Sequence, residues 1–198
     1  GIGFGPDGNF YVADGETDRV YRYDGSTGTS MGVFAVGAGG QAFRATSWGP
    51  DGNLYVSQAA GGVARFDGGT GASLGVLAAA ETAAPAGNAF GPDGLLYVSD
   101  YFNGDVDVYD PSTGAYVRSL PTGSGAAGLL FDDAGRLYAS ARFQHAVYRY
   151  SGTDGSLFTA GGPLLDPVEL VLAPVPEPAT WAAMLSGLLV LAWARRRQ

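Results

Sequence analysis

The segment FGPDGNFYVAD at residues 4–14 returns as WGPDGNLYVSQ at 48–58, FGPDGLLYVSD at 90–100 and FDDAGRLYASA at 131–141, with spacings of 44, 42 and 41 residues. A second block follows each first one: RVYRYDGSTG at 19–28, GVARFDGGTG at 62–71, DVDVYDPSTG at 105–114 and AVYRYSGTDG at 146–155. A third, looser apolar segment comes next, at 31–36, 74–77, 116–120 and 157–159. Self-similarity at a fixed period of this size means that one supersecondary unit is repeated. Each unit must bury its apolar faces against its neighbours, because it cannot cover them alone.

Turn chemistry converts each repeat into strands. In the first repeat Gly1 to Phe4 form a short strand, and Pro6-Asp7-Gly8 form a tight turn in which Gly8 supplies a positive φ. Phe10, Tyr11 and Val12 favour a second strand, being aromatic or β-branched. Residues 20–23 alternate as a third strand, and 24–28 close a hairpin onto a fourth. The 33 Gly weigh against a helical bundle, since each costs a helix interior about 1 kcal/mol relative to Ala. Four short antiparallel strands per repeat predict an all-β chain of β-propeller blades packed radially about an axis. The expected division is repeats near 1–43, 44–86, 87–127 and 128–166, a closing strand at 167–173, and a separate segment at 174–198 containing one hydrophobic helix.

Composition excludes several functions. With no Cys, the chain has no disulfide scaffold, thiolate zinc site or cysteine nucleophile. Its 11 basic residues are all Arg, and three of them, Arg195, Arg196 and Arg197, stand at the C-terminus. The remaining 8 Arg face 19 acidic residues, so the body carries a net −11 and should repel nucleic acid phosphates. No charged and apolar leader precedes the first repeat, so the chain is expected to be processed or to be part of a longer reading frame.

Gly3, Asp7, Gly8, Asn9, Tyr11, Val12, Asp14, Arg19, Val20 and Tyr23 together resemble NHL-type repeats and the related regucalcin/gluconolactonase-like propellers, over roughly residues 1–172. The resemblance implies the fold and leaves function open, because such propellers include enzymes and binding modules alike. It also implies six or seven blades. Residues 167–172 align with a fifth first strand that lacks its three partners. The expectation is therefore a ring closed by blade strands, and a signal peptide, lying upstream of Gly1.

The C-terminal segment differs from all that precedes it. Val175-Pro176-Glu177-Pro178 is a stiff extended tetrapeptide. Residues 179–194 then run uncharged, with Trp181 and Trp193 near the ends and the three Arg immediately after. As a helix this stretch would span about 24 Å, somewhat short of the roughly 30 Å hydrocarbon core of a bilayer. The order of tetrapeptide, apolar helix, Arg cluster and chain end resembles the PEP-CTERM sorting signal of Gram-negative bacteria. That resemblance implies export, transient anchoring in the inner membrane, and recognition of Pro176-Glu177-Pro178 by an exosortase-type membrane protease. It further implies a final place at the cell surface or in extracellular matrix, associated with exopolysaccharide and biofilm.

Strand parity puts the loops between second and third strands, and those between blades, on one face. That face should carry Asp14, Glu16, Arg44, Asp100, Tyr101, Phe102, Asn103, Arg142, Phe143 and His145. A metal-dependent lactonase-like or lyase-like enzyme would gather carboxylates and Asn there around Ca²⁺ or Zn²⁺. Asp14 and Asp100 have that chemistry, but the equivalent Gln58 and Ala141 do not, and only Asn103 adds an amide. Asx-type turns are the preferred reading of both aspartates. Asp105 to Asp107 lacks the Gly and terminal Glu of an EF-hand loop, and no nucleophile elbow occurs. The Asp-Gly-Ser-Thr-Gly segments lie between strands, so they are hairpin turns and not phosphate loops. No catalytic residue or cofactor is therefore assigned. The expected function is an exported binding or scaffold module for extracellular polysaccharide or a surface protein, with Tyr101, Phe102 and Phe143 as stacking groups. The alternative is the metal-dependent enzyme.

Overall fold

A computed structural model of the chain describes residues 1–77, 82–151, 154–160 and 164–171. Its strands form four four-stranded sheets, each antiparallel and in chain order. The first blade comprises β1 (Ile2–Phe4), β2 (Phe10–Asp14), β3 (Arg19–Tyr23) and β4 (Ser30–Val36). The second comprises β5 (Phe43–Trp48), β6 (Leu54–Gln58), β7 (Val63–Phe66) and β8 (Ser73–Leu77). The third comprises β9 (Pro85–Phe90), β10 (Leu96–Asp100), β11 (Asp105–Tyr109) and β12 (Tyr116–Pro121). The fourth comprises β13 (Ala126–Phe131), β14 (Leu137–Ala141), β15 (Ala146–Ser151) and β16 (Asp154–Ala160). A single 3₁₀ turn at Arg142–Gln144 is the one helical element among the described residues. The predicted all-β propeller blades are what the chain forms. The apolar helix predicted at 179–194 and the tetrapeptide at 175–178 lie outside the described residues. Among the described residues no helix is long and apolar enough to cross a membrane.

The registers define two faces. Phe4 pairs with Phe10 and Tyr23 with Ser30, so the first and third turns of a blade share one end, here called the turn face. Asp14 pairs with Arg19 at the opposite end, the loop face, where chain also passes between blades. On the turn face the Gly of each Pro-Asp-Gly turn takes the required positive φ: 77° at Gly8, Gly52 and Gly94.

The cores lie between blades. One buried cluster joins Tyr11, Val20 and Ala35 of the first blade to Phe43, Leu54, Val56 and Phe66 of the second. The next joins Tyr55, Val63 and Leu77 to Leu96, Val98 and Tyr109, and a third joins the last two blades in the same way. At each junction the second-strand Tyr meets edge-on the aromatic that ends the next blade's inner strand. Tyr11 meets Trp48 at 5.0 Å, Tyr55 meets Phe90 at 4.9 Å and Tyr97 meets Phe131 at 5.0 Å.

The same Tyr hydroxyls donate to the turn aspartates: Tyr11 to Asp7 at 2.9 Å, Tyr55 to Asp51 at 3.0 Å and Tyr97 to Asp93 at 2.9 Å. Asn9 and Asn53 brace the first two carboxylates through backbone and side chain. The Gly before each Pro is small because a Cβ at Gly49 would lie 2.7 Å from Tyr55 Cε2 and 3.0 Å from Phe90 Cζ.

In the fourth blade the turn reads Asp132-Asp133-Ala134-Gly135, which moves the carboxylate two positions earlier. Arg136 replaces the Asn and binds Asp132 at 2.7 Å, and the Tyr138 hydroxyl still reaches Asp132 at 3.3 Å.

Residues 167–171 make no strand ladder, and Leu172 and Ala173 of the expected closing strand lie outside the described residues. The Val168 carbonyl nonetheless accepts the Ser140 hydroxyl, whose oxygen also accepts the Gly128 N–H. This repeats the relation of Ala127 to Ser99 and Gly87 one blade earlier. Val168 thus stands in an inner-strand position.

Two outcomes follow from this packing. Gly49→Ala should cost about 1–3 kcal/mol through overpacking, lowering Tm in a thermal melt by ~2–4 °C per kcal/mol. Burial, reinforced by hydrogen bonding to an aspartate, pushes Tyr55 and Tyr97 up to about 12, and burial pushes Tyr150 to about 12. A raised folded pKa means stability that is complete below pH 10 and lost as pH climbs toward 12. Ultraviolet titration should show these three tyrosines ionising well above the ordinary value, together with unfolding.

Candidate functional site

Inner strands converge where space is least, and small residues line them. A Cβ on Gly87 would strike the Ala127 carbonyl, and one on Gly128 the Val168 carbonyl. These strands enclose a cavity of about 210 Å³ lined by Gly1, Ala45, Gly87, Gly128 and neighbouring small residues. Its charged and aromatic lining comes from Arg44, Tyr101, Arg142 and Glu169. Tyr101 and Arg142 stand on the loop face.

Around that mouth the structure brings together Tyr101 and Phe102 of the third blade with Arg142, Phe143 and His145 of the fourth. The Tyr101 ring packs edge-on against Phe102 at 5.6 Å and Phe143 at 5.3 Å. Phe102 is 73 % exposed and Phe143 58 % exposed, so the cluster presents apolar ring surface to solvent. The Arg142 guanidinium lies 5.9 Å from the Tyr101 ring centroid and donates to its hydroxyl at 3.3 Å. Asp166 forms a two-pronged ion pair with Arg142, one hydrogen bond running from Nη2 at 2.6 Å and the other from Nε. His145, at φ 53°, accepts the Asp166 N–H on Nδ1 at 3.2 Å. Asp166 belongs to this site and was not among the residues expected there. It falls in a stretch without the repeat's motifs, and the left-handed φ of 62° that aims it at Arg142 leaves no pattern in the sequence.

Asp14 and Asp100 are not brought together. Asp14 accepts the Glu16 N–H at 2.9 Å and the Thr17 hydroxyl at 2.8 Å, and these bonds hold its carboxyl below the usual range. Glu16 is exposed on the same loop, and Arg44 is exposed on the cavity wall.

Asp100 is fully buried. One oxygen accepts the N–H groups of Phe102 at 2.9 Å and Asn103 at 3.0 Å. The other accepts the Ala83 N–H at 2.6 Å and the Asn103 amide at 2.9 Å. Asp100 therefore shapes the loop that carries the aromatic cluster. Where Asp14 pairs across strands with Arg19, Asp100 pairs with Asp105, and Asp107 follows on the same side of β11. Oxygens of Asp100, Asp105 and Asp107 lie within 4.8 Å of one another, with Asp105 Oδ1 buried and unpartnered. Burial pushes Asp107 above the usual carboxylate range. The Thr82 hydroxyl opposes that rise, donating to it at 2.6 Å, and the charge of Asp105 adds to it. An all-oxygen set of this kind suits a hard cation such as Ca²⁺ better than Zn²⁺, which takes nitrogen and sulfur ligands.

Residues 174–198 match the PEP-CTERM protein-sorting motif. The motif is a signal for export, for membrane anchoring before sorting, and for processing by an exosortase, a membrane protein. No curated protein matches the chain in sequence. In structure the chain is similar to virginiamycin B lyase from Staphylococcus aureus, with TM-score 0.73 and 14 % identity over 85 % of this chain and 57 % of that one. It is also similar to U3-55K, with TM-score 0.65 and 15 % identity over 79 % of this chain and 50 % of that one. These likenesses show the propeller fold. The chain spans about half the length of these structures.

Because folding raises the Asp107 pKa, its contribution to stability falls as pH rises above the ordinary carboxylate value near 3.8. In chelator-containing buffer Asp107→Asn should therefore melt higher than the parent at pH 7. The two proteins should converge toward pH 3 in parallel thermal scans.

Proposed function

We propose that the protein is an exported, non-catalytic propeller that binds extracellular polysaccharide or a surface protein at its channel mouth. Before processing by an exosortase it is anchored by residues 179–194 as a transmembrane helix, with Arg195 to Arg197 on the cytoplasmic side. The sorted product acts at the cell surface or in biofilm matrix. The observation that carries this reading is the exposed aromatic cluster of Tyr101, Phe102 and Phe143 beside the Arg142–Asp166 pair. Flat rings in solvent offer stacking surface to sugar faces, while guanidinium and carboxylate offer directional bonds to hydroxyls. Truncating such an anchor costs about 2 kcal/mol or more in binding.

The second reading is a metal-dependent lactonase-like or lyase-like enzyme, and the observation favouring it is the cluster of Asp100, Asp105 and Asp107. Those three carboxylates would hold the ion, which would polarise a substrate carbonyl. Virginiamycin B lyase lends this reading its fold alone.

Sedimentation of the full chain with neutral and acidic polysaccharides separates the two. Binding should fall at least tenfold in Y101A and F143A while the melting temperature holds. No retention of the parent chain by any glycan, together with a Ca²⁺-dependent rise in Tm that D105A loses, would overturn the first reading in favour of the second.

A further inference from the structure

The course of the last described residues sets how the anchored molecule faces its membrane. Asp166 sits on the loop face, fixed by Arg142 and His145. Two residues on, Val168 occupies the inner-strand position that Ala127 holds one blade earlier. Inner strands run from the loop face to the turn face; β13 ends there at Phe131, immediately before its turn. Val171 corresponds to Leu130, 41 residues earlier, so the chain is one residue short of the turn face and heading toward it.

The sorting tetrapeptide begins four residues later and the uncharged stretch eight residues later. At 3.3–3.6 Å per residue those distances cannot exceed about 14 Å and about 29 Å. Turning the loop face to the bilayer would double the tether back along a strand, about 17–20 Å. That path would lay Val175-Pro176-Glu177-Pro178 against the flank of the fourth blade, where a membrane protease could not engage it.

We infer that the turn face is the membrane-facing side of the anchored precursor, and that the aromatic channel mouth points away from the bilayer. This rests on the reading of 179–194 as a membrane anchor. The turn face carries an acidic residue in nearly every turn. Asp7, Asp24, Asp51, Asp67 and Asp110 all stand in its turns, each held below the usual carboxylate range. Those charges repel anionic headgroups within a Debye length, about 8 Å at physiological salt. The loop face can meet its ligand before the chain is cut.

The chain has no Cys, so single labels can be placed cleanly. The full chain is reconstituted into vesicles that carry a headgroup-attached quencher. A fluorophore is attached to S26C or A134C on the turn face, and to E16C or S124C on the loop face. Labels separated by the length of a strand, about 17–20 Å, should differ in quenching at least about twofold, with S26C and A134C the more quenched. Equal or reversed quenching with the protein still floating with the vesicles overturns the orientation alone. Failure to float overturns the anchor reading and the orientation with it.

Discussion

The edge-on contact between a second-strand tyrosine and the next blade's inner-strand aromatic organises this molecule. No blade keeps a core to itself: each buried cluster draws its members from two adjacent blades. Stability in such an array is close to a sum of neighbour interfaces. The tyrosine serves two of those demands at once, since its ring fills the interface while its hydroxyl ties down the turn aspartate of its own blade. Glycine precedes each Pro-Asp-Gly turn because the ring lies where a side chain would be. Gly, Asp, Tyr and the following aromatic are therefore one device spread over about 42 residues, and none of them is explained alone.

Two departures show what the device requires. In the fourth blade the glycine has become Asp132, yet a carboxylate still reaches the tyrosine hydroxyl and Arg136 stands in for the lost asparagine. What is retained is the charge-to-hydroxyl bond and not the position of the residue that makes it. At the other flank Phe4 holds the place of Trp48, Phe90 and Phe131. No preceding tyrosine meets it among the described residues, and it is 63 % exposed, with Phe10 at 5.1 Å. The same side chain is buried or bare according to whether a neighbour supplies the other half of the contact.

This explains why the fold was legible and the site much less so. The strands, the turn glycines and the sharing of one face by two sets of loops all follow from local chemistry repeated four times, and repetition averages away the noise in any one copy. The channel-mouth cluster has no such redundancy. Tyr101, Phe102 and Phe143 could be placed on the right face by parity. Their mutual packing depends on Asp100 shaping one loop and on a left-handed His145 ending the other. Asp166 sits in a connection with no counterpart to compare. The carboxylate group in the third blade was half visible: Asp105 to Asp107 is a local pattern, but Asp100 joins it only through the register of β10 and β11.

The division of labour between the faces then has a physical origin. On the turn face, Asp7, Asp24, Asp51 and Asp67 are committed by bonds to their own turns and to a core tyrosine or a hydroxyl of the same turn. Inner strands can offer little beyond backbone, because their crowding admits mainly Gly and Ala. Variation without loss of the array falls chiefly on the loop face, where the connections between blades differ in length. That is where this chain places the exposed rings of Phe102 and Phe143, its only histidine and the Arg142–Asp166 pair. A propeller built on saturated turns and crowded strands has one surface free to specialise.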